Sequence, residues 1–353
     1  MPLKCARAIA MLGLLSAGIA GAQSPGAASI EDYQSAMDRY WQAAARGQTA
    51  AARAAQTDAQ AALSAARTTL EEAGANGPDV PRADLLAYTR VLAWQGNYDL
   101  AAEALAAALR VQGQAPALQA ALADYARWCG DDWQARGLDA AQAVIDSEAE
   151  PALRALALRA RGDYLWREGL YDLAGADYAA AVELQPANVE TALRLAAEEA
   201  RRGEVVSASE RLDALGQAAQ PYDAETRSRL REALHNFERR NLRFPDDAAH
   251  HAASGKLLYR AARLGEAAIA VRRVLELDPS RVDEWSFLGA INSQLGNLDT
   301  ALRAYENALE RAPERAGLRD LVERLRQMQD QRSPQQAPPA TSRDTPPPLL
   351  QRQ

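Results

Sequence analysis

Apolar and polar positions along this chain recur with a step of 34 residues, and each block predicts two short helices. Residues 274–279 and 308–313 end two consecutive blocks with a similar apolar pattern, and both segments close on a proline. Because proline cannot continue a helix, it marks where the second helix of a block stops. Gly169 and Gly203 have the same spacing and indicate two further blocks upstream. This self-similarity predicts an array of stacked helical hairpins.

Six blocks fit this frame, interrupted by an irregular segment at residues 222–247. Their first helices are predicted to start near Arg82, Pro116, Ala155, Val189, Ala248 and Val282. The frame also needs a small side chain early in each second helix, where the two helices of a hairpin cross closely. That position holds Ala101, Ala135, Ala174, Ala208, Ala267 and Ala301. Each hairpin has an apolar face too small to bury alone, so neighbouring hairpins are expected to stack into one continuous core.

The block at residues 282–315 resembles the tetratricopeptide repeat, a helix-turn-helix of 34 residues. The residues that carry the resemblance are Trp285, Leu288, Gly289, Gly296, Asn297, Leu298, Ala301, Tyr305, Ala308 and Pro313. The resemblance implies an all-α fold, a right-handed superhelical α-solenoid of such repeats with a disordered C-terminal tail. In such packing, small residues such as Gly162, Gly255 and Gly289 on the first helices let the second helices approach, and Tyr178 and Tyr305 are expected to fill the volume between repeats.

The flanking segments complete the predicted domain organisation. Residues 1–22 are predicted as a signal peptide, and residues 23–81 as an N-terminal helical cap or degenerate repeat. Residues 82–221 hold about four repeats, residues 222–247 are an irregular helical segment, residues 248–315 hold two repeats, and residues 316–332 form a C-terminal capping helix. Residues 333–353 are rich in proline and glutamine, a composition that cannot build a core and predicts disorder.

The first residues have the pattern of an export signal. Lys4 and Arg7 precede an apolar stretch at residues 8–19, and residues 20–22 supply the small side chains of a cleavage site. An uncleaved anchor is the alternative, but a span takes about 20 apolar residues and this run is shorter. We therefore expect cleavage after Ala22, a periplasmic or secreted protein, and no membrane span after cleavage. Only Cys129 would then remain, packed as a small apolar residue.

Composition and motifs argue against several function classes. The formal charge of −7 and the pI of about 5.3 make nucleic acid an unexpected partner. The three histidines are not spaced for metal or base chemistry, and no glycine-rich phosphate loop or nucleophile motif is present. No catalytic residue, metal ligand or cofactor is predicted, and the chain is not expected to be an enzyme.

A partner-binding groove is implied by the resemblance, because first helices line the concave surface of tetratricopeptide arrays. Carried over by position, the groove residues are Arg90, Trp94, Asp124, Arg127, Trp128, Arg159, Asp163, Trp166, Arg167, Arg201, Lys256, Tyr259 and Arg260. Tryptophans interleaved with arginines favour binding of an extended peptide with acidic groups, or stacking on sugar rings. For Trp166, a structural role in the seam between repeats is an equal alternative.

Three functional hypotheses follow. The first is a periplasmic scaffold or adaptor that mediates protein–protein interaction in cell-envelope assembly or secretion, with an extended peptide or an envelope-complex subunit as its partner. The alternative is a carbohydrate-binding accessory protein of exopolysaccharide synthesis or export, with a polysaccharide as ligand. Residues 90–99 are similar to repeats in bacterial envelope proteins that handle exopolysaccharide export. An enzyme or enzyme regulator with an unrecognised site is a third class.

Overall fold

The computed structural model describes residues 25–332, which contain seventeen α-helices and no strand. The all-α prediction is therefore confirmed. The predicted signal peptide and the proline-rich tail lie outside the described residues. The chain divides into two compact units, of which unit 1 ends at Arg240 and unit 2 begins at Asn241.

Unit 1 is built from two long N-terminal helices, four hairpins and a helical segment after them. Its helices are α1 (Ala27–Ala45), α2 (Thr49–Glu72), α3 (Arg82–Trp94), α4 (Tyr98–Gln112), α5 (Pro116–Ala126), α6 (Gln134–Ile145), α7 (Pro151–Arg167), α8 (Tyr171–Leu184), α9 (Val189–Arg202), α10 (Val205–Leu215) and α11 (Asp223–Ala233). Short 3-10 helices cover Asp131–Trp133 and Gly216–Tyr222, and α12 (Phe237–Asn241) spans the boundary.

Unit 2 contains two hairpins and a final helix. Its helices are α13 (Ala248–Arg260), α14 (Leu264–Leu277), α15 (Val282–Gln294), α16 (Leu298–Arg311) and α17 (Leu318–Arg332). Each helix packs against the next one along the chain, and α17 covers α16. Among the described residues, no helix combines the length and the apolar character needed to cross a membrane.

Within each unit, consecutive helices pack in pairs, and neighbouring pairs contact each other in the order of the chain. The first helices α3, α5 and α7 also contact each other directly, so they form a common layer in unit 1. Five of the six first helices, namely α3, α5, α9, α13 and α15, begin at the residue that the frame predicts. The exception is α7, which begins at Pro151, where proline suits the first turn of a helix.

Glycines on the first helices allow tyrosines of the second helices to approach closely. A Cβ atom added at Gly162 would lie 2.6 Å from the ring of Tyr178, and one at Gly289 would lie 2.7 Å from the ring of Tyr305. Tyr178 is fully buried, and Tyr305 is buried as well. The predicted close approach of the second helices at these two glycines is therefore confirmed, and Tyr178 also packs with Leu195 of the next repeat.

One of the six predicted small positions is wrong. Ala135 is exposed, whereas its five counterparts are fully buried. The 3-10 turn at Asp131–Trp133 precedes α6 and shifts its packing frame, so that Gly137 meets the Tyr164 side chain and the Cβ of Ala126. The close approach therefore exists in this hairpin, but it lies two residues further along the chain.

Candidate functional site

Charged side chains on four helices of unit 1 meet beneath the surface and form a buried ion network. Its members are Asp124 and Arg127 on α5, Arg159 and Asp163 on α7, Glu190 and Arg194 on α9, and Glu225 and Arg229 on α11. Each pair is spaced three or four residues apart, which puts both members on one face of their helix. Four of these eight residues were predicted from the sequence as groove residues; the pairs on α9 and α11 were not.

Asp163 is the centre of this buried ion network. Its Oδ1 atom accepts hydrogen bonds from the Tyr178 hydroxyl at 2.7 Å, from Arg194 Nε at 2.7 Å and from Arg229 Nη2 at 3.0 Å. Its Oδ2 atom contacts Arg127 Nη1. Three guanidinium groups and one hydroxyl therefore converge on a single carboxylate.

Asp124 and Glu190 hold the other side of the network together. Arg159 bridges them, since its Nη2 lies 2.5 Å from Asp124 Oδ1 and its Nη1 contacts Glu190 Oε2. Arg194 Nη2 lies 2.8 Å from Glu190 Oε1, and Arg127 Nη2 lies 2.9 Å from Asp124 Oδ1. These side chains are 1–5% exposed, so every charge is compensated by partners of opposite sign and not by water.

Burial and the charges of neighbouring side chains shift the pKa values of several residues in this network. Burial alone would raise the pKa of Asp163, but the charges of Arg194, Arg127 and Arg229 outweigh it and hold that pKa well below its ordinary value. The pKa of Glu225 is lowered in the same way, with Arg194 as the main opposing charge. Burial lowers the pKa of Arg159 to about 10, despite the attraction of Asp124. At neutral pH Asp163, Glu225 and Arg159 are therefore charged.

Trp94 and Arg90 do not lie on an open wall, which differs from the sequence-based expectation. Trp94 is 4% exposed because Tyr33 of α1 stacks on it with ring centroids 4.7 Å apart. Arg90 is also buried, 6.0 Å from the centre of the Trp94 ring, and burial lowers its pKa. The N-terminal helix α1 thus occupies the face on which a partner was expected.

The remaining groove residues of unit 1 differ in exposure. Trp128 is half-buried, with the Arg127 guanidinium 4.8 Å from its ring centre. Trp166 is 9% exposed and packs with Tyr178 and Leu195, so it fills the seam between repeats. Arg167 is exposed, and its Nη1 donates a hydrogen bond to the carbonyl of Arg127 at the end of α5. Arg201 is half-buried and forms ion pairs with Glu198 at 2.8 Å and with Asp172 at 2.6 Å.

Unit 2 keeps its predicted residues accessible. Lys256 is exposed, and Tyr259 and Arg260 are half-buried at the end of α13. The Tyr259 ring contacts the Phe287 ring of α15 with centroids 5.2 Å apart, and Gln294 Nε2 donates a hydrogen bond of 2.5 Å to the Tyr259 hydroxyl. These five residues form one surface across two adjacent first helices, which we call the α13–α15 surface.

Small residues continue this surface along both helices. Ala252 on α13 and Ser286 and Ala290 on α15 are half-buried and share helix faces with the larger side chains. The acidic residues at the start of α15 are paired with arginines: Asp283 contacts Arg315, and Glu284 Oε1 lies 3.2 Å from Arg281. The α13–α15 surface thus carries two basic side chains, Lys256 and Arg260, and two aromatic rings, in a chain whose net charge is −7.

Within residues 25–332, no three or more His, Cys, Asp or Glu side chains are arranged to hold a metal ion. Cys129 is half-buried against the core of unit 1, where burial and the neighbouring Asp99 raise the pKa of its thiol to about 12. A thiol in that state is a poor nucleophile near neutral pH.

Comparison with known proteins identifies one repeat directly. Residues 285–315, which cover most of α15 and α16, match the family model of the tetratricopeptide repeat. No curated protein is significantly similar to the chain. Among solved structures, it is similar to a tetratricopeptide repeat protein from Parabacteroides merdae ATCC 43184, at 14% identity and a TM-score of 0.36, over 84% of this chain and 99% of that chain.

Two further solved structures are similar to this chain. Yeast Tom70 has 14% identity and a TM-score of 0.44, over 94% of this chain and 73% of that chain. YrrB, described as a tetratricopeptide protein with an unusual peptide-binding site, has 17% identity and a TM-score of 0.28, over 63% of this chain and 99% of that chain.

Proposed function

Since the chain carries a tetratricopeptide repeat at residues 285–315, we propose that it is an exported scaffold that holds an acidic segment of a protein partner during cell-envelope assembly or secretion. Helical-hairpin arrays of this kind are protein-interaction scaffolds, because their first helices present side chains on one shared surface. The periplasmic location rests on the predicted signal at residues 1–22. The site that we assign to the partner is the α13–α15 surface.

The observation that carries this proposal is the chemistry of the α13–α15 surface. Lys256 and Arg260 supply positive charge, and Tyr259 and Phe287 supply aromatic area that loses little conformational freedom when it binds. The half-buried Ala252, Ser286 and Ala290 leave room for an extended main chain between the larger side chains. An acidic extended peptide matches both the charge and the shape of this surface.

A protein partner is favoured over a carbohydrate ligand by the state of the tryptophans. Stacking on a sugar needs an open ring face, but Trp94 is covered by Tyr33 and Trp166 is packed in the seam between repeats. Trp128 is half-buried beneath the Arg127 guanidinium. No observation in unit 1 therefore supports a row of sugar-stacking platforms.

A photo-crosslinking residue in place of Gln294 should capture one discrete protein in the periplasmic fraction of the native cell, because this position is exposed beside Tyr259. The double substitution Lys256→Glu with Arg260→Glu should reduce that adduct by at least about 10-fold, since like charges would then face an acidic partner. Mass spectrometry of the adduct should identify an acidic segment at the crosslink.

Arg303 provides the matched control, because it is an exposed arginine on the second helix α16 of the same unit. The substitution Arg303→Glu should leave the Gln294 adduct unchanged. An adduct that survives the double charge reversal, or that forms equally well from a crosslinker at position 303, would contradict the proposed site.

A further inference from the structure

The helix α11 covers the ion network of unit 1 from outside. Arg229 Nη2 lies 3.0 Å from Asp163 Oδ1, and the Arg229 guanidinium lies 5.2 Å from the centre of the Trp166 ring. Glu225 Oε1 lies 3.2 Å from Arg194 Nη2. The same helix therefore supplies an anion to α9 and a cation to α7. It belongs to the segment between the two sets of repeats, and not to a repeat.

The ion network beneath α11 and the charged pair on α11 are each neutral, so the helix can detach without leaving a net charge in the network. The inner six residues on α5, α7 and α9 comprise three arginines and three carboxylates, so they are neutral without α11. Glu225 and Arg229 form their own ion pair at 3.2 Å, so α11 is also neutral at this contact. Removing the helix leaves no net charge buried beneath it, which avoids the large cost of an uncompensated ion.

The helix α11 is held by fewer buried residues than the first helices are, and its charged contacts are more exposed than those beneath them. The side chains of Glu225 and Arg229 are 30% and 16% exposed, against 1–8% for the inner six residues. The buried residues of α11 itself are Thr226, Leu230 and Ala233. Leu230 and Ala233 are its buried apolar residues, and the fully buried Leu234 follows directly after it. First helices such as α9 are instead buried along nearly their whole length. An element held in this way can open without unfolding of the hairpins around it.

We propose that the face of α7 and α9 beneath α11 is a second binding site, for a helical partner segment that carries Glu and Arg four residues apart followed by Leu. In this structure α11 itself is the occupant, with Glu225 on Arg194, Arg229 on Asp163 and Leu230 as the apolar anchor. A partner helix with the same pattern competes with α11 for these contacts. The site is independent of the α13–α15 surface, so the two proposals stand or fall separately.

The test uses the full-length chain and a fluorescein-labelled peptide with the sequence of residues 223–234. A variant chain with Glu225→Ala, Arg229→Ala and Leu230→Ala removes one charge of each sign and weakens the internal competitor. Fluorescence anisotropy should show the peptide binding to this variant at least about 10-fold more tightly than to the wild-type chain, because the binding-competent fraction rises. Equal affinity for both chains, or no binding to either folded chain, would overturn the proposal.

A second peptide, with Glu225→Arg and Arg229→Glu, has the same composition but places like charges against Arg194 and Asp163. It should bind to the variant chain at least about 10-fold more weakly than the native peptide. If both peptides bound equally, their binding to the variant chain would be nonspecific, and the proposal would be overturned. Light scattering would detect dimers in which two copies of the chain exchange α11. If such dimers formed without the peptide, the occupant of the site would be a second copy and the proposal would be overturned.

Hydrogen exchange on the wild-type chain tests the site without any substitution. Amides of α11 should exchange at least about 10-fold faster than those of α9, because α11 opens locally while the hairpins remain folded. Equal protection of the two helices would show that α11 is a fixed part of the core, and the proposal would fail even if the variant chain did not fold.

Discussion

Replacing Asp163 with alanine is expected to lower the free energy of unfolding of unit 1 by about 3–5 kcal/mol. The substitution leaves Arg127, Arg194 and Arg229 without their common carboxylate, and the first two of these side chains are only 2% exposed. Urea denaturation followed by tryptophan fluorescence measures this change directly, since five of the six tryptophans lie in unit 1.

The control for this prediction is Asp172→Ala, which removes an aspartate whose side chain is 87% exposed and paired with Arg201. Surface pairs of this kind contribute about 0–1 kcal/mol, so the control should unfold nearly like the wild-type chain. Equal losses for the two variants would mean that the network around Asp163 is open to solvent.

The dependence of stability on pH provides a second test of how much the Asp163 carboxylate stabilises the folded chain. Because the pKa of Asp163 is depressed in the folded chain, its stabilising contribution is present above the ordinary aspartate pKa of about 4. It is lost as the pH falls through the folded-state pKa. The Asp163→Ala variant should therefore lose less stability on acidification than the wild-type chain does.

Replacing Gly289 with alanine should lower the free energy of unfolding of unit 2 by about 1–3 kcal/mol, because there is no room for a Cβ at this position. The new Cβ would lie 2.7 Å from the ring of Tyr305, so α15 and α16 would have to separate or the tyrosine would have to move. Chemical denaturation monitored by circular dichroism measures the change.

Gly265 on α14 is the matched control in the same unit, because nothing lies within 4 Å of a Cβ added there. Alanine is favoured over glycine within a helix by up to about 1 kcal/mol, so Gly265→Ala should leave the stability unchanged or raise it. A stabilising effect of both substitutions would show that the close crossing of α15 and α16 does not exist in solution.

The fold was predictable because packing favours the same residue types at matching places in several hairpins. Glycine on the first helix and alanine on the second allow the two helices to cross closely, and proline ends the second helix. The misplaced Ala135 shows the limit of this reasoning. A single 3-10 turn before α6 moves the contact to Gly137, and such a local insertion leaves no periodic signal.

The site was predictable in position but not in exposure. The frame puts Asp124, Arg127, Arg159 and Asp163 on one face of the first helices, where they are buried in the ion network, and α11 covers Asp163. Trp94 is likewise covered by Tyr33 of α1. Both covering helices lie outside the regular repeats, so the repeat pattern contains no information about where they pack.

Some of the missed residues had a local signal. Glu190 occupies the second position of its unit, which is one of the positions that line the groove in tetratricopeptide arrays. The pairs Glu190–Arg194 and Glu225–Arg229 both have the i, i+4 spacing, with the glutamate first, that favours an ion pair along one helix. Their contact with α5 and α7 depends on the tertiary structure and could not be predicted from spacing.

Hydroxyl-radical footprinting of the native chain tests the central claim most directly, namely that the first-helix face is closed at Trp94 and Trp166 in unit 1 and accessible at Tyr259 and Phe287 in unit 2. After correction for intrinsic reactivity, Trp94, Trp166 and Tyr178 should be protected, and Tyr259 and Phe287 on the α13–α15 surface should be oxidised. Oxidation of Trp94 and Trp166 to the same extent as Tyr259 would contradict the account.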